Sequence, residues 1–127
     1  MNPARRYAQA ACETASPERL MVLLFQAALR NMRNGAAALE AGKPAEAGRA
    51  LGRASDIVLE LHATLDRSKA PELCDQLAEI YRFVTRHLGT AVLSRDPRMA
   101  REAERVFRPV AEAFDAAVAS LVKQREG

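Results

Sequence analysis

Apolar residues return at three- and four-residue steps in four successive stretches of this chain, and no alternating β-branched run competes with them. That spacing gathers them on one face of a helix, and helices with such faces are satisfied by turning them toward one another. Prolines and short polar breaks mark the boundaries. The first helix is expected over 17–41, where Ser16 can accept an N–H of the first turn and Pro17 has no N–H to leave unbonded. The second is expected over 44–66, with Ala47, Ala50, Leu51, Ala54, Ile57, Val58, Leu61 and Leu65 on its stripe. The third is expected over 72–94, with Leu73, Leu77, Ile80, Tyr81, Val84, Leu88, Ala91 and Val92. The fourth is expected over 97–123, capped by Asp96 and lined by Met99, Ala103, Val106, Phe107, Val110, Phe114, Val118 and Leu121. Pro109 stands inside it, where a missing hydrogen bond and a ring clash predict a kink. Leu20 to Phe25 is apolar all round, which predicts a central position for the first helix. Short connections between helices of this length describe an all-α, antiparallel up-and-down four-helix bundle.

Composition narrows the function classes. The 127 residues are 49% hydrophobic and 28% charged, the balance of a single globular domain over 1–127 with enough length for its own core. No apolar run approaches the roughly 20 residues of a membrane span, and the N-terminus lacks the apolar stretch of a secretory signal, so a cytosolic chain without membrane insertion is expected. Cys12 and Cys74 form no CxxC pair and have no clustered histidines, so both read as free thiols. The net charge of +3 is mild, there is no Trp, and the aromatic fraction is 5%, which leaves little for stacking on nucleic acid.

The chemistry-bearing residues do not assemble into a recognisable catalytic pattern. His62 and His87 raise the question of phosphotransfer, but neither has a lysine within reach along the helix. Neither follows a Glu at three residues, as a di-iron bundle site requires, and Glu60 is two residues from His62, on a different face. Neither cysteine has a local base, and no glycine-rich loop exists to cradle a phosphate. Catalytic residues, metal ligands and cofactors are therefore expected to be none. Arg98, Arg101, Arg105 and Arg108 line up on the fourth helix as a phosphate-binding stripe would. Glu102, Glu104 and Glu112 lie four residues from Arg98, Arg108 and Arg108, and an ordinary salt-bridged outer face is the expectation preferred. Phosphotransfer and nucleic-acid binding stand as the rival functions.

Some apolar side chains fall off the core stripes: Val22 and Leu29 on the first helix, Leu59 on the second, Phe83 and Leu93 on the third. They either scatter singly over the surface or lie side by side in a groove able to take an amphipathic partner helix, and the residues alone leave both open.

Tyr7-Ala8-Gln9, then Ala15-Ser16-Pro17 with Leu20 to Phe25, then Leu39-Glu40-Ala41-Gly42, Ala54 to Leu61, Thr64-Leu65-Asp66 and Leu77 to Val84 follow one another in a telling order and spacing. On these residues the chain resembles the FliS family of flagellar secretion chaperones from Tyr7 to about Val118. It departs from the family in Gln26-Ala27-Ala28, where Asp-Gly-Ala is usual, in Ala70-Pro71-Glu72, where a glycine-rich turn is common, and in Phe114, where Trp is frequent. The resemblance implies a cytosolic, non-enzymatic chaperone that binds the disordered C-terminal region of flagellin, blocks premature polymerisation and helps deliver it to the flagellar type III export apparatus. The partners it implies are the flagellin C-terminal segment and an export-gate component, with homodimerisation of the free chain left open. It also implies a mobile N-terminal segment over 1–15 whose Tyr7 covers the client groove. Tyr7, Val22, Leu29, Leu59, Phe83 and Leu93 are the expected client-binding side chains.

Overall fold

The computed structural model describes residues 16–126, which form four helices and, among the described residues, no strand. α1 spans Pro17–Glu40, α2 Pro44–Ala63, α3 Pro71–Ser94 and α4 Pro97–Glu126. Each starts on a proline, whose fixed φ suits the first helical position. Ser16 Oγ accepts the Arg19 N–H at 3.3 Å, and Asp96 Oδ1 accepts the Arg98 N–H at 3.0 Å. At the end of α1, Gly42 adopts φ 73°. That left-handed residue lets the Lys43 N–H reach Ala38 O at 2.8 Å and the Gly42 N–H reach Leu39 O at 3.1 Å, closing carbonyls the helix leaves free. α3 ends in the same manner through Arg95 at φ 52°.

α2 stops at Ala63 rather than 66 because the chain turns on Asp66, whose Oδ1 accepts the Ser68 N–H at 3.0 Å and the Ser68 hydroxyl at 2.5 Å. α4 runs past 123 to Glu126, and near its end Arg125 pairs with Glu18 at 2.9 Å. It continues through Pro109. The proline leaves the carbonyl of Arg105 without its helical donor, on an exposed turn where water can replace it.

α1 packs on α2 and α4, and α3 packs on the same two, so the helices close a ring in chain order. Ion pairs fix the α1–α4 seam at both ends: Arg125 with Glu18 beside the start of α1, and Arg101 Nε with Glu40 Oε1 at 3.0 Å beside its end. α1 is therefore one corner of the bundle rather than its centre, and Leu23, in the run expected to be enclosed, is 41% exposed. The core is built from Phe107, Met32, Leu51, Ile57, Leu61, Leu88, Val58 and Val84. Phe25 meets Phe107 and Phe114 with ring centroids 5.5 and 5.0 Å apart. At Gly35 a Cβ would lie 2.3 Å from Leu51 Cδ2, so α1 and α2 approach closely there because the side chain is missing.

Two expectations about burial are corrected. Leu29, taken as standing off the core, is buried within it between α1 and its neighbours. Leu73, Val92 and Leu121, taken as core, are exposed. The stripe gives a direction, but α3 and α4 extend beyond what their neighbours cover.

Candidate functional site

α2, at 20 residues, is shorter than the 24 of α1 and α3 and the 30 of α4. Four residues of helix are about 6 Å. At that end of the bundle, apolar side chains of α1, α3 and α4 face a space that the α2–α3 connection only borders. The result is a groove of about 610 Å³, walled by Leu73, Leu77 and Tyr81 of α3 and by Pro109, Val110 and Phe114 of α4. Met21 and Phe25 of α1 and Leu65 of the connection complete it, with Cys74 on the α3 side. Ala113 and Ala117 line it too, and their short side chains leave the trough open where larger ones would fill it. Leu73, at its mouth, is 54% exposed.

Polar groups in the groove are few. Thr64 Oγ1 donates to Leu61 O at 2.7 Å, and Asp66 is engaged by Ser68, which holds its carboxyl below the usual carboxylate range. Cys74 is a buried free thiol. Tyr81 is buried, and loss of solvent, with a smaller contribution from Cys74, pushes its phenol up to about 12, so the hydroxyl is protonated at any physiological pH.

The side chains singled out from the sequence do not come together here. Val22 lines a second groove, of about 580 Å³, on the other side of α4, with Leu23, Val118 and Val122 among charged residues including Arg19 and Lys123. Phe83 packs half-buried against the core, stacks on His87 with centroids 3.8 Å apart, and lines a shallow hollow with Ile80 and Val106. Leu59 is 55% exposed on α2, and Leu93 is 88% exposed near the end of α3. Leu29 is in the core, and Tyr7 lies outside the described residues, as does Cys12. Leu77, Val110, Phe114 and Tyr81 were read as core positions; periodicity marks them as inward, and among the described residues the short reach of α2 leaves the first three part-exposed while Tyr81 stays buried.

The rival chemistries also meet the geometry. His87 Nδ1 lies 3.1 Å from the Phe83 carbonyl, its only possible role there being donor, and Nε2 is 3.5 Å from Glu102, so the ring is engaged on both sides. His62 sits against the Tyr81 ring at 6.0 Å. The arginine stripe is not the simple outer face expected. Glu104 is buried and accepts from Arg108, from Arg33 Nε at 3.3 Å and from Arg101 Nη1 at 3.3 Å, while Glu102 turns to His87 and Arg98 folds back on Asp96. Burial alone would raise the Glu104 carboxyl; hydrogen bonds from Arg108 and Arg33 outweigh it and hold the group below its usual range. Among the described residues no three His, Cys, Asp or Glu side chains gather to hold a metal, and no helix is long and apolar enough to cross a membrane.

The described residues form an all-α bundle with an apolar trough left open among them. The sequence matches the family described as flagellar protein FliS over residues 1–121. It is 33% identical over 115 residues to the flagellar secretion chaperone FliS of Salmonella typhimurium, covering 87% of this chain and 85% of that protein. It is 30% identical over 126 residues to the flagellar secretion chaperone FliS of Bacillus subtilis, covering 99% and 93%. To the protein of that name in Vibrio cholerae it is 27% identical over 101 residues, covering 80% and 74%. The chain belongs to the FliS family of flagellar secretion chaperones.

Proposed function

We propose that this chain is a cytosolic export chaperone that binds the C-terminal region of flagellin, keeps it from polymerising and assists its delivery to the flagellar type III export apparatus. The groove between α3 and α4 is where an apolar helix of that client docks. The observation that carries this reading is the apolar trough of Leu77, Val110 and Phe114, left open by the described residues, on a chain of a flagellar secretion chaperone family. A segment that is disordered when free pays its ordering entropy on binding, so much of the burial energy is offset and the complex stays reversible enough for hand-over to the export machinery. Val22, Leu59, Phe83, Leu93 and Tyr7 are candidate contacts for the rest of a long client segment wrapped over the bundle.

Isothermal titration with a peptide from a flagellin C-terminus tests it. Binding with a negative heat-capacity change is expected, since apolar surface is buried. Leu77→Asp, which places a charge on the groove wall, is expected to weaken binding by at least about tenfold while the far-ultraviolet helical signal is kept. Leu59→Glu, at an exposed position, is expected to weaken it less. No heat at high peptide concentration, or full affinity in Leu77→Asp, would sink the reading.

A further inference from the structure

A cleft of about 590 Å³ lies between the end of α1 and the start of α2, on residues that the apolar groove does not use. The groove takes Met21 and Phe25 near the start of α1, whereas the cleft is lined by Asn34, Ala37 and Ala41 near its end and by Ala50 of α2. Alanine side chains let a second helix approach more closely than leucines would. Beside them stand Lys43, Arg49 and Arg53, all exposed, with a single carboxylate, Glu46, that pairs with none of them. None of the three cations is in an ion pair among the described residues, whereas Arg101 and Arg108 of α4 are each paired with a glutamate. Arg53 is nevertheless held in place. Its Nε donates to Asn31 Oδ1 at 3.3 Å, and the buried Asn31 amide donates in turn to Ala27 O at 2.8 Å. A polar side chain inside α1 thus anchors an arginine at the surface of α2, and the Arg53 Nη groups stay uncommitted among the described residues.

We propose that this cleft docks an acidic helix of a partner protein, with carboxylates one turn apart pairing with Arg49 and Arg53 and a further one reaching Lys43. The charge in the cleft is complementary to such a helix, three cations against one carboxylate. Arg49 and Arg53 are four residues apart, about 6 Å along α2, which is the spacing of i, i+4 side chains on an incoming helix. Lys43, ten residues before Arg53, lies about 15 Å from it by the same rise. Cations strung over that length suit a row of carboxylates rather than one phosphate or one small acid. No aromatic side chain lines the cleft to stack a nucleic-acid base. Guanidinium and carboxylate can pair through two parallel hydrogen bonds, and the excess positive charge speeds encounter with an acidic segment. Because cleft and groove share no residue, both can be filled at once, and the proposal does not rest on what fills the groove.

The probe is a synthetic alanine-based helical peptide of about 16 residues with glutamate at every fourth position, beside its glutamine counterpart. Each is titrated into the full isotope-labelled chain and followed by nuclear magnetic resonance. The glutamate peptide is expected to move the amide signals of Asn34, Lys43, Arg49 and Arg53, and to bind at least about tenfold more weakly at ~0.5 M than at ~0.05 M NaCl. The glutamine peptide should leave those signals in place. Arg49→Glu and Arg53→Glu should each weaken binding about 3- to 10-fold, and Leu77→Asp should bind the acidic peptide as wild type does. Arg49 makes no side-chain hydrogen bond or ion pair among the described residues, so its variant decides the matter if loss of the Asn31 bond unsettles Arg53→Glu. No movement of those signals at about millimolar peptide, equal binding of the two peptides, or full affinity in Arg49→Glu overturns the proposal. A DNA duplex that moves the same signals at lower concentration than the peptide makes the cleft a general polyanion site and also overturns it. So does a dimer of the free chain that Arg49→Glu dissolves, since a second copy is then the occupant.

Discussion

Glu104 shows how much one side chain depends on what faces it. In the sequence it is one of several glutamates four residues from an arginine, worth a few tenths of a kcal/mol on a solvated helix. In the bundle it is buried, and Arg33 reaches it from α1, 71 residues away, alongside Arg101 and Arg108 of its own helix. The three cations keep the carboxylate ionised where burial would neutralise it. Glu104→Gln removes the charge and leaves three guanidinium groups around a neutral amide, and a loss of roughly 1–3 kcal/mol is expected at neutral pH. The sign of the pH dependence follows from the lowered native value. A carboxyl held more acidic in the folded chain contributes in full above its ordinary value of 4.5, and the contribution is lost as pH falls below that toward the depressed native value. Urea denaturation of wild type and Glu104→Gln at pH 7 and at about pH 3 should therefore show the stability gap closing in acid; a gap that holds constant would mean that the carboxylate charge contributes nothing.

At the scale of the element, the α1–α2 contact is decided by Gly35. Glycine inside a helix costs up to about 1 kcal/mol relative to alanine, so its place in the middle of α1 needs a reason. The reason is Leu51, fully buried, whose side chain occupies the position a Cβ would take. Gly35→Val would force the two helices apart or push Leu51 from its rotamer, and a destabilisation of about 2–3 kcal/mol is expected. Gly52→Ala, at an exposed α2 position with open space around it, serves as the contrast and should be neutral or slightly stabilising. Thermal melts of the two variants check the pair: equal midpoints would remove the close approach as an explanation. The ends of the helices belong to the same scale. Ser16, Asp96, Gly42 and the four starting prolines are local signals, and each boundary they mark lies within three residues of where the sequence places it.

For the whole molecule, two kinds of surface contribute differently. Arg33, Arg98, Arg101, Arg108 and Arg125 are each paired with a carboxylate. The groove at the end where α2 falls short is lined mainly by apolar side chains. Client binding by the groove is expected to change by less than about 3-fold between 0.1 and 1 M NaCl, because buried apolar contacts are insensitive to screening at those concentrations. A phosphate-binding arginine stripe would instead lose orders of magnitude over a similar range. Peptide titrations at the two salt concentrations decide between these, and a steep loss would count against the groove.

Helical periodicity, capping residues and proline placement are local properties, and they determine that residues 16–126 make four helices, where each starts, and which face of each turns inward. The order of its motifs likewise places it among the flagellar secretion chaperones. What a stripe cannot express is how far a neighbour extends to cover it. Leu61 and Leu77, or Phe107 and Phe114, have the same chemistry and the same helical phase, yet the first of each pair is sealed in the core and the second lines an open trough. Leu29 and Glu104 make the converse point, an off-stripe leucine and a glutamate that packing takes inside. Burial depends on the length and lateral placement of the other helices, so it is set by contacts distant in sequence, and the tertiary structure alone decided that a groove opens among α1, α3 and α4 where α2 stops.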